Sequence, residues 1–597
     1  MCGISGWFLR DSKCFELENI QKMVSALHHR GPDDSGIYYD QKKGIALGHN
    51  RLSIIDLSDN GHQPMINKKT GDILIFNGEI YNFKILRKEL EGLGHDFFSQ
   101  TDTEVLLYAF KEWGIECLSR IKGMFAFGFW SQDSHTLHLV RDPMGIKPLY
   151  FWQLPHNEGV VFASEVKAFL QLPGFKKDIN RNSIEQFIEF GYTFNQSDTI
   201  FQNIQKLPPG HHLEIKQGKI GVPVRYFYPN LQTEPVSSGK VLENRLYENL
   251  VQVVKEQLVA DVPVGLLLSG GLDSGIIAAI ASRLTQIKTF SFGFAGSSVD
   301  ERPYARIVSE YIGSDHEEIL INTDELMEDL EQNIRHFDDL FADWGTVSTH
   351  LIYKRCRERG VKVVIVGEGA DELFAGYHGR FSPSLGINKV WSLDWHLFKL
   401  YRVYVGRRYG SQFWNYRKRM KEYMKLTEGD MFAAIRLFES RDQLPNNFIM
   451  KVDKASMAVS VEARVPFLDS RIAEIAYQIH RDLLIDDKAV KILLSSMAKR
   501  FDLLPQKIIQ RPKYGAGIAM SWMETSETFR SYARQIILAQ DGWTDVLGLR
   551  KAMTEYFVHN KQGFPFPSAI SIFRPLAWRL LILNLWSRFY KLSPDHE

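Results

Sequence analysis

The sequence predicts a protein of two domains that combines α/β and α+β architecture. Its 597 residues are more than one hydrophobic core usually serves. The N-terminal third carries short β-favouring runs between turn residues, such as Ile73 to Phe76 and Met124 to Trp130. After Val241, buried strands run straight into Gly-rich turns and helices, which is the pattern of a parallel sheet. Beyond Tyr377 the pattern is mainly helical, so we expect the second domain to end in a helical tail.

A stretch rich in turn residues marks the boundary between the two domains. Leu207 to His212 reads LPPGHH, and a polar stretch with further prolines follows it as far as Lys240. We place the boundary near residue 225. The sequence thus predicts a first domain over residues 2–212, a linker over 213–240 and a second domain over 241–597.

The composition is that of an ordinary globular protein. Apolar residues make up 44% of the chain and charged residues 24%. Lysine and arginine number 72 against 71 aspartate and glutamate, and the net charge of +1 gives no overall field that attracts nucleic acid or an anionic membrane. We therefore expect neither of these partners.

The cysteines and the apolar segments favour a cytoplasmic protein. The four cysteines have neither the paired spacing of a metal site nor the density of a disulfide framework. The first residues lack the basic start and long apolar stretch of a signal peptide. The most apolar late segment, Leu576 to Trp586, is interrupted by Arg579 and is too short to cross a bilayer.

Cys2 is the first candidate catalytic residue. A small side chain at this position permits removal of Met1, which leaves a thiol and a free α-amine on one residue. The cysteine thiol is a strong nucleophile, and an α-amine titrates near neutral pH and can act as its base. Taken alone, Cys2 is better explained as a small buried residue of a strand, so the interpretation depends on its companions.

Several polar residues supply chemistry that complements Cys2. An asparagine amide and a glycine N–H can hold the oxyanion that forms when a thiolate attacks an amide. An arginine can clamp an α-carboxylate and acidic groups can bind an α-ammonium, which together describe a free amino-acid amide such as glutamine. Each residue taken singly is more simply a surface ion pair or a hairpin turn. The set is Arg51, Asn77, Gly78, Glu79 and Asp102.

On these motifs the chain resembles the class II glutamine amidotransferases. The resemblance rests on MCGI, HRGPD, RLSI, NGEIYN and DPMGIKPLY, and it extends from Cys2 to about His212. It implies a four-layer αββα sandwich of the N-terminal-nucleophile (Ntn) hydrolase type. It also implies that Cys2 is the nucleophile and that Asn77 and Gly78 form the oxyanion hole. The residues that it implies for glutamine binding are Arg51, Leu52, Ile54, Asn77, Gly78, Glu79 and Asp102.

The motif SGGLDS, from Ser269 to Ser274, is the second candidate site. It stands between an apolar strand and an Ala/Ile-rich helix. Glycine N–H groups and serine hydroxyls can surround phosphate oxygens, the helix N-terminus favours negative charge, and Asp273 can hold Mg²⁺. The motif is not the GxxxxGK[ST] loop, which argues against simple γ-phosphoryl transfer. As a bare pattern, the same turn can also be purely structural.

A second Gly-rich turn follows the buried strand VKVVIV. It reads GEGADELFAGY and brings three carboxylates, those of Glu368, Asp371 and Glu372, beside the expected nucleotide site. Carboxylates near ATP are usually metal ligands or bases, because otherwise they would repel the phosphates. Lys454 and Lys513 lie farther along and provide cations that can neutralise a leaving pyrophosphate.

This half resembles the synthetase domain of the asparagine synthetases and related carboxylate-adenylating enzymes, over roughly residues 241–525. The resemblance implies that an acceptor carboxylate attacks the α-phosphate of ATP, that ammonia cleaves the acyl adenylate, and that ammonia passes between the domains. It implies Mg²⁺ on Asp273 and Asp371, and catalytic roles for Glu368 and Lys513. The residues implied for ATP and pyrophosphate are Leu267, Ser269, Gly270, Gly271, Asp273, Ser274, Phe292, Val366, Gly367, Lys454 and Lys513.

Three positions that bear on the acceptor depart from the family pattern. Trp344, in the stretch Phe341 to Thr349, stands where an arginine is expected to bind the α-carboxylate of aspartate. Ser495 and Ala516 replace an arginine and a phenylalanine of many relatives. A tryptophan cannot neutralise a carboxylate, but it can stack on a sugar ring or serve plain packing. Aspartate is therefore the leading acceptor, and a sugar acid, cell-wall precursor or other biosynthetic carboxylate is the alternative.

Three further hypotheses are left open. In the first, the synthetase half closes a ring or joins another amine, although the complete set of glutaminase residues argues against this. In the second, the chain is a glutamine or nucleotide sensor. The aromatic and basic segment Val390 to Arg419 binds nucleic acid in the third hypothesis, but its helical spacing favours a structural role. The expected partners are glutamine, ATP and a small carboxylate, and a homodimer is left open.

Overall fold

The computed structural model describes residues 2–10, 14–295, 300–385, 397–402, 411–511, 526–540, 542–559 and 567–592. Two β-sheets organise the N-terminal half of these residues, and a third organises the C-terminal half. Lys513, Ala516 and half of the segment Val390 to Arg419 lie outside the described residues.

Two antiparallel sheets form the N-terminal half. The first has the strand order β10-β8-β9-β1-β3-β2, and the second has the order β12-β11-β7-β6-β5-β4 with β13 beside β11. The strands are β1 Gly3–Leu9, β2 Asp34–Asp40, β3 Ile45–Arg51, β4 Met65–Ile66, β5 Ile73–Ile80, β6 Gly123–Ser131, β7 Thr136–Arg141, β8 Tyr150–Gln153, β9 Gly159–Ala163, β10 Ile204–Lys206, β11 His211–Lys216, β12 Lys219–Ile220 and β13 Val224–Arg225.

Helices cover the outer faces of both sheets. Helices Leu17–Ala26 and Arg181–Phe190 pack on the first sheet, and Phe83–Gly92, Asp102–Trp113 and Cys117–Arg120 lie on the side of the second. The inner faces of the two sheets share one core. Because both faces of each sheet are covered, β1, β3 and β5 are buried along their whole length instead of alternating. The predicted αββα sandwich is confirmed.

The stretch predicted as a linker contributes strands to this half. β11 runs across residue 212, and β12 and β13 both pair with it. Tyr226 also closes the edge, since its hydroxyl donates to the carbonyl of Arg141 at 2.7 Å. The longest irregular part of the stretch follows Arg225 and contains Pro229 and Pro235.

A five-stranded parallel sheet is the centre of the C-terminal half. Its strand order is β16-β15-β14-β17-β18, and every neighbouring pair is parallel, as the sequence predicted. Such an order requires crossover helices between the strands. The strands are β14 Val264–Leu267, β15 Lys288–Phe294, β16 Asp315–Ile321, β17 Val363–Ile365 and β18 Glu462–Arg464.

The remaining described residues are mainly helical, which confirms the predicted tail. Helix Pro567–Phe589 packs against Thr323–His336 and Glu527–Ile537. None of the described helices is both long enough and apolar enough to cross a membrane. The helices are Gly239–Gln257, Leu272–Leu284, Arg302–Ile312, Thr323–His336, Thr346–Glu358, Ala370–Leu373, His378–Phe381, Phe413–Leu426, Met431–Phe438, the π-helical Glu439–Phe448, Ile449–Met457, Ser470–Gln478, Ile492–Arg500, Gln506–Ile509, Glu527–Ile537, Trp543–Val546, Arg550–His559 and Pro567–Phe589.

The parallel sheet meets the N-terminal half through the amino ends of its strands. Asp261 precedes β14 and Lys362 precedes β17, and both contact the N-terminal half. The carboxyl ends of the same two strands lead into the motifs SGGLDS and GEGADE. The two candidate sites therefore lie at opposite ends of shared strands.

Candidate active sites

Cys2 lies at the start of β1 and is held by two buried polar groups. Its backbone nitrogen donates to Asn77 Oδ1 at 3.0 Å, and Arg30 Nε donates to its carbonyl oxygen at 3.0 Å. Burial raises the pKa of the Cys2 thiol, while a backbone hydrogen bond from Leu52 lowers it. A thiol in this setting needs a base within the site, since the thiolate is the nucleophile.

Asn77 and Gly78 on β5 stand beside Cys2. The Asn77 side chain is fully buried, and its Nδ2 has no hydrogen-bond partner among the described residues. An unpartnered buried donor is what an oxyanion hole offers before substrate arrives. Gly78 is required by close packing, because a Cβ there would lie 2.1 Å from the carbonyl oxygen of Met124 on β6.

A pocket opens beside Cys2. Every residue predicted to bind glutamine lines it except Asn77, which is hydrogen-bonded to Cys2. The structure therefore brings the sequence-predicted set together. The lining residues are Cys2, Arg51, Leu52, Ile54, Ile55, Gln63, Phe76, Gly78, Glu79, Thr101, Asp102 and Thr103.

The Arg51 guanidinium is held by the loop that follows β3. Nη1 donates to the carbonyl of Ser58 at 2.8 Å, and Nη2 donates to the carbonyls of Ile55 and Asp56. A guanidinium has five N–H donors, so Nε–H and a second Nη1–H are not used by these contacts. The carbonyls thus orient the cation at the pocket wall and leave donors for a carboxylate.

Two buried carboxyls face the same pocket. Burial raises the pKa of Asp102 to about 6, although its Oδ2 accepts a hydrogen bond from the Ile80 nitrogen at 2.8 Å. Burial, with Glu462 and Asp102 nearby, raises the pKa of Glu79 well above its usual range. An α-ammonium bound between these groups would favour their ionised forms, which is the electrostatics expected of an amino-acid site.

The motif SGGLDS forms a tight loop between β14 and helix Leu272–Leu284. Ser269 and Ser274 contact each other through their hydroxyls at 3.0 Å, and Ser274 Oγ also accepts from the Ser269 nitrogen. Gly270 has φ +67°, and a Cβ there would lie 2.4 Å from the nitrogen of Ala305. Only glycine fits this conformation, and the helix N-terminus beyond it favours an anion.

The second Gly-rich turn packs directly on this loop. A Cβ at Gly367 would lie 2.9 Å from the nitrogen of Ser274, so the two predicted phosphate-side turns touch. Leu267 ends β14, Val366 follows β17 and Phe292 lies near the end of β15, so these residues, predicted along adenosine, occupy neighbouring strand ends. Such a crevice at the carboxyl ends of parallel strands is where open α/β sheets bind ligands.

Lys491 joins the two aspartates predicted to hold Mg²⁺. Its Nζ lies 2.5 Å from Asp273 Oδ2 and 2.5 Å from Asp371 Oδ1. Although burial opposes it, this carboxylate pair holds the pKa of Lys491 above its usual range. Paired carboxylates are also the donors that Mg²⁺ accepts beside a nucleotide, so the site fits that ion. Among the described residues no cluster of three or more acidic, histidine or cysteine side chains is arranged as a metal cage.

Lys451, and not Lys454, is the lysine beside Glu368. Lys451 Nζ pairs with Asp343 at 3.1 Å, and Asp343 and Glu368 hold its pKa above the usual range despite burial. The Lys454 ammonium pairs with Asp338 and lies 5.7 Å from the ring centre of Tyr150, in the contact between the halves. This corrects the expectation that Lys454 faces the phosphates. The two lysines are one helical turn apart, and sequence spacing does not decide which one reaches the site.

Trp344 packs against the C-terminal helix. Its ring stacks on Trp578 with centroids 4.9 Å apart and an interplanar angle of 21°. The neighbouring residue Asp343 points instead to Lys451. Trp578 is thus the packing partner of Trp344 and covers one face of its ring.

Comparisons with known proteins agree with this geometry. The family described as "Glutamine amidotransferase domain" matches residues 1–227, and "Asparagine synthase" matches residues 245–588. Asparagine synthetase [glutamine-hydrolyzing] 1 of Bacillus subtilis is 32% identical, with 91% of each chain covered. The chain belongs to the glutamine-hydrolysing asparagine synthetase family. It is therefore a glutamine-dependent amidotransferase of the ligase class, and the asparagine synthetase family uses ATP as a substrate.

Two further proteins are similar to the chain over part of its length. Amidase chry2 of Gibberella zeae is 28% identical over 64% of this chain and 60% of its own. The solved glutamine phosphoribosylpyrophosphate amidotransferase from B. subtilis, complexed with ADP and GMP, has 17% identity and a TM-score of 0.29, covering 61% of this chain and 81% of that one.

Sequence reasoning missed three cations of the synthetase half. Lys491 and Lys451 were described above, and Arg511 donates to the carbonyls of Ser269 and Gly270 at 3.2 and 3.1 Å. Arg511 begins the motif RPKYGAG, of which only Lys513 was singled out, and Lys513 lies outside the described residues. The signal for Arg511 was thus in a motif already recognised, whereas Lys491 has no local signal beyond its position before an apolar helix.

Proposed function

We propose that this chain forms an amide in two coupled steps. Cys2 releases ammonia from glutamine, and the C-terminal half adenylates a carboxylate, with aspartate as the leading acceptor and asparagine, AMP and pyrophosphate as products. The observation that carries the proposal is the buried Asn77 Nδ2, which has no partner among the described residues beside Cys2. An amide-cleaving site needs such a donor, whereas a binding site alone does not.

In the first step the Cys2 thiolate attacks the carboxamide carbon of glutamine. Its proton passes to the α-amine of Cys2 once Met1 has been removed. Asn77 Nδ2 and the Gly78 N–H stabilise the oxyanion of the tetrahedral intermediate. The protonated α-amine then returns its proton to the amide nitrogen, so that collapse of this intermediate expels ammonia and leaves a thioester. Water hydrolyses the thioester to glutamate and restores the Cys2 thiol. Arg51 holds the α-carboxylate of glutamine, and Asp102 and Glu79 hold its α-ammonium.

In the second step an acceptor carboxylate oxygen attacks the α-phosphorus of ATP and pyrophosphate leaves. The backbone of Ser269 to Ser274 binds the pyrophosphate, and Arg511 supports the loop through its carbonyls. Ammonia then attacks the acyl carbon, and AMP leaves. Glu368, which lies beside Lys451, is the group proposed to take the proton from the attacking ammonia.

We assign Mg²⁺ to Asp273 and Asp371. These carboxylates would hold the ion, which when bound would supply positive charge against the phosphates. Lys491, which pairs with both carboxylates, keeps them together in the protein alone.

A different acceptor is the second candidate, favoured by Trp344. Relatives are expected to carry an arginine there for the α-carboxylate of aspartate, and the Trp344 ring, stacked on Trp578, cannot supply that charge. Lys451, the cation beside Glu368, is already paired with Asp343. A sugar acid, cell-wall precursor or other carboxylate that needs no α-carboxylate clamp would suit this pocket.

The deciding experiment measures ATP-dependent pyrophosphate release with glutamine and Mg²⁺, with and without aspartate. Stimulation with one asparagine per pyrophosphate establishes aspartate as the acceptor. Intact glutaminase activity without stimulation by aspartate rejects it, and sugar acids are tested next. Glutamine turnover by the purified protein also excludes a sensor without catalysis.

The domain division and compartment stay predictions. The division is a glutaminase domain over residues 2–212, a linker over 213–240 and a synthetase domain over 241–597. The sparse cysteines of the sequence support a reducing cytoplasm as the site of the reaction. A homodimer is left to measurement.

A further inference from the structure

The segment Leu52 to Asp56 forms one wall of the glutamine pocket. Leu52, Ile54 and Ile55 line the pocket, and the carbonyls of Ile55 and Asp56 hold the Arg51 guanidinium. The segment follows β3 and belongs to no strand or helix. Its shape is therefore not fixed by a backbone ladder of its own, and tertiary contacts must hold it.

The backbone of this segment includes a costly conformation. Asp56 has φ +55°, in the left-handed region that residues other than glycine rarely adopt. Its side chain compensates in part, since Oδ1 accepts from Ser58 Oγ at 2.5 Å and Oδ2 accepts from the Gln100 nitrogen at 2.8 Å. A residue held this way persists only where its surroundings fix it.

Asp261 of the synthetase half makes two hydrogen bonds to this segment, one as donor and one as acceptor. Its backbone nitrogen donates to the carbonyl of Ile54 at 2.9 Å, and its Oδ2 accepts from the nitrogen of Asp56 at 2.8 Å. The two hydrogen bonds bracket Ile55, whose side chain lines the pocket. The N–H that Asp261 Oδ2 accepts belongs to Asp56, the residue with positive φ, so this hydrogen bond acts directly on the strained turn.

Lys362 supports the other end of the same segment through Asp33. Its Nζ lies 2.9 Å from Asp33 Oδ2, and the same oxygen accepts from the Ser53 nitrogen at 2.8 Å. Lys362 immediately precedes β17 and Asp261 lies shortly before β14, and these strands pair through Val264 and Val363. Both contacts therefore come from one edge of the parallel sheet.

We propose that Asp261 and Lys362 are positioning residues for glutamine, which clamp Leu52 to Asp56 in its glutamine-binding shape from the synthetase sheet. The glutamine site is complete only when the synthetase half is docked. The opposite ends of the same strands carry the Ser269 to Ser274 loop, so the clamp and the nucleotide site share a rigid element. This inference rests on the proposed function of Cys2 and the pocket beside it.

Asp261→Ala is the first test. It removes the acceptor of the Asp56 N–H but not the backbone contact to Ile54, and Asp261 is exposed, so folding is retained. Loss of one hydrogen bond of this kind raises the KM for glutamine by about five- to tenfold, with kcat for glutamine hydrolysis little changed. Asp261→Asn keeps an oxygen acceptor and restores the KM.

Ammonia-dependent synthesis separates positioning from general damage. It does not use the glutamine pocket, so Asp261→Ala leaves its rate unchanged, whereas a merely structural loss lowers both activities together. Lys362→Met raises the KM for glutamine by about two- to fivefold, because the Lys362–Asp33 pair is partly exposed. Both changes combined raise it further, again with ammonia-dependent synthesis intact.

A matched control breaks a contact between the halves that lies elsewhere. Gln196 Nε2 donates to the carbonyl of Arg441 at 3.0 Å, away from the pocket, so Gln196→Ala leaves the KM for glutamine unchanged. Cys2→Ala distinguishes the two proposals. If Cys2→Ala still hydrolyses glutamine, the proposed function fails. If Cys2→Ala is inactive towards glutamine but Asp261→Ala keeps the wild-type KM, only the clamp is overturned.

Discussion

Asn77 uses the two ends of its amide for different tasks. Its Oδ1 accepts the N–H of Cys2, which fixes the orientation of the side chain. Its Nδ2 is buried, and no described residue accepts a hydrogen bond from it. An unmade buried hydrogen bond costs about 1–3 kcal/mol, and that energy becomes available when an oxyanion forms in reach of the donor. The orientation and the open donor thus come from a single side chain.

Asn77→Asp separates these tasks. The substitution keeps an oxygen that can accept from Cys2 but removes the N–H donor. We expect kcat for glutamine hydrolysis to fall by about 10²–10³, with a smaller change in KM, because the lost contact acts in the transition state. Steady-state glutaminase kinetics measure this, with Asn77→Ala as the comparison. An Asn77→Asp enzyme with wild-type kcat would remove Asn77 from the oxyanion hole.

Asp102 gives glutamine binding a pH dependence. Burial raises its pKa to about 6, whereas a glutamine ammonium binds only its ionised form. Proton binding therefore competes with glutamine, and we expect the KM to be constant at high pH and to rise as the pH falls through about 6. The KM measured between about pH 5 and 8 tests this. Asp102→Asn should bind weakly and show a smaller rise, since Glu79 remains in the pocket, and a flat wild-type profile contradicts the assignment.

At the scale of elements, Lys491 connects two turns that are far apart in the chain. Asp273 belongs to the helix that follows β14, and Asp371 belongs to the short helix Ala370–Leu373 that follows β17. The lysine lies at the start of helix Ile492–Arg500 and is almost fully buried. Carboxylates this close repel each other without a cation between them, so Lys491 holds the two turns together.

Lys491→Met should expose that repulsion. We expect the free energy of unfolding to fall by about 3–5 kcal/mol, because a buried pair loses one partner. We also expect added Mg²⁺ to raise the Tm of the variant more than that of the wild type, since the freed carboxylates bind it. Thermal unfolding with and without Mg²⁺ measures both. Lys288→Met, which breaks the partly exposed Lys288–Glu317 pair, is the control with little change. Equal Mg²⁺ shifts in variant and wild type would contradict the role of Lys491.

The parts of the fold and of the two sites that depend on local motifs could be predicted from the sequence. SGGLDS and GEGADE each follow a buried strand, so their place at the carboxyl edge of a parallel sheet was predictable from neighbouring residues alone. The sandwich and the residues around Cys2 were likewise indicated by short motifs. The pairing of Asp273 with Lys491 was not, because it joins residues 218 positions apart. Contacts of that range depend on how whole elements pack.

The helix Ile449–Met457 shows a second limit of sequence reasoning. It carries Lys451 towards Glu368, Asp453 towards Arg30 and Lys454 towards Asp338. All three side chains are buried, and they serve the synthetase site and the contact with the N-terminal half from one short helix. A periodic pattern indicates that such a helix is buried, but not which neighbour each polar residue meets.

At the scale of the molecule, the two sites should be separable by mutation. Cys2→Ala should abolish glutamine use and leave ammonia-dependent synthesis, because the nucleophile lies only in the pocket of the N-terminal half. Asp273→Asn should abolish pyrophosphate release with either nitrogen source and leave glutamine hydrolysis. Assays of both activities in both variants test this. Loss of both activities in Cys2→Ala contradicts a division into two sites.

During translation, the residues of the glutamine pocket are synthesised before the residues that clamp it. The glutaminase strands leave the ribosome first, and domains generally fold as they emerge. Asp261 and Lys362 emerge later. Trp344 can stack on Trp578 only after the helix Pro567–Phe589 has been synthesised. Until Asp261 and Lys362 have emerged, the pocket beside Cys2 lacks the contacts that hold Leu52 to Asp56. A chain that ends before Asp261 and Lys362 should therefore bind glutamine more weakly than the complete chain does.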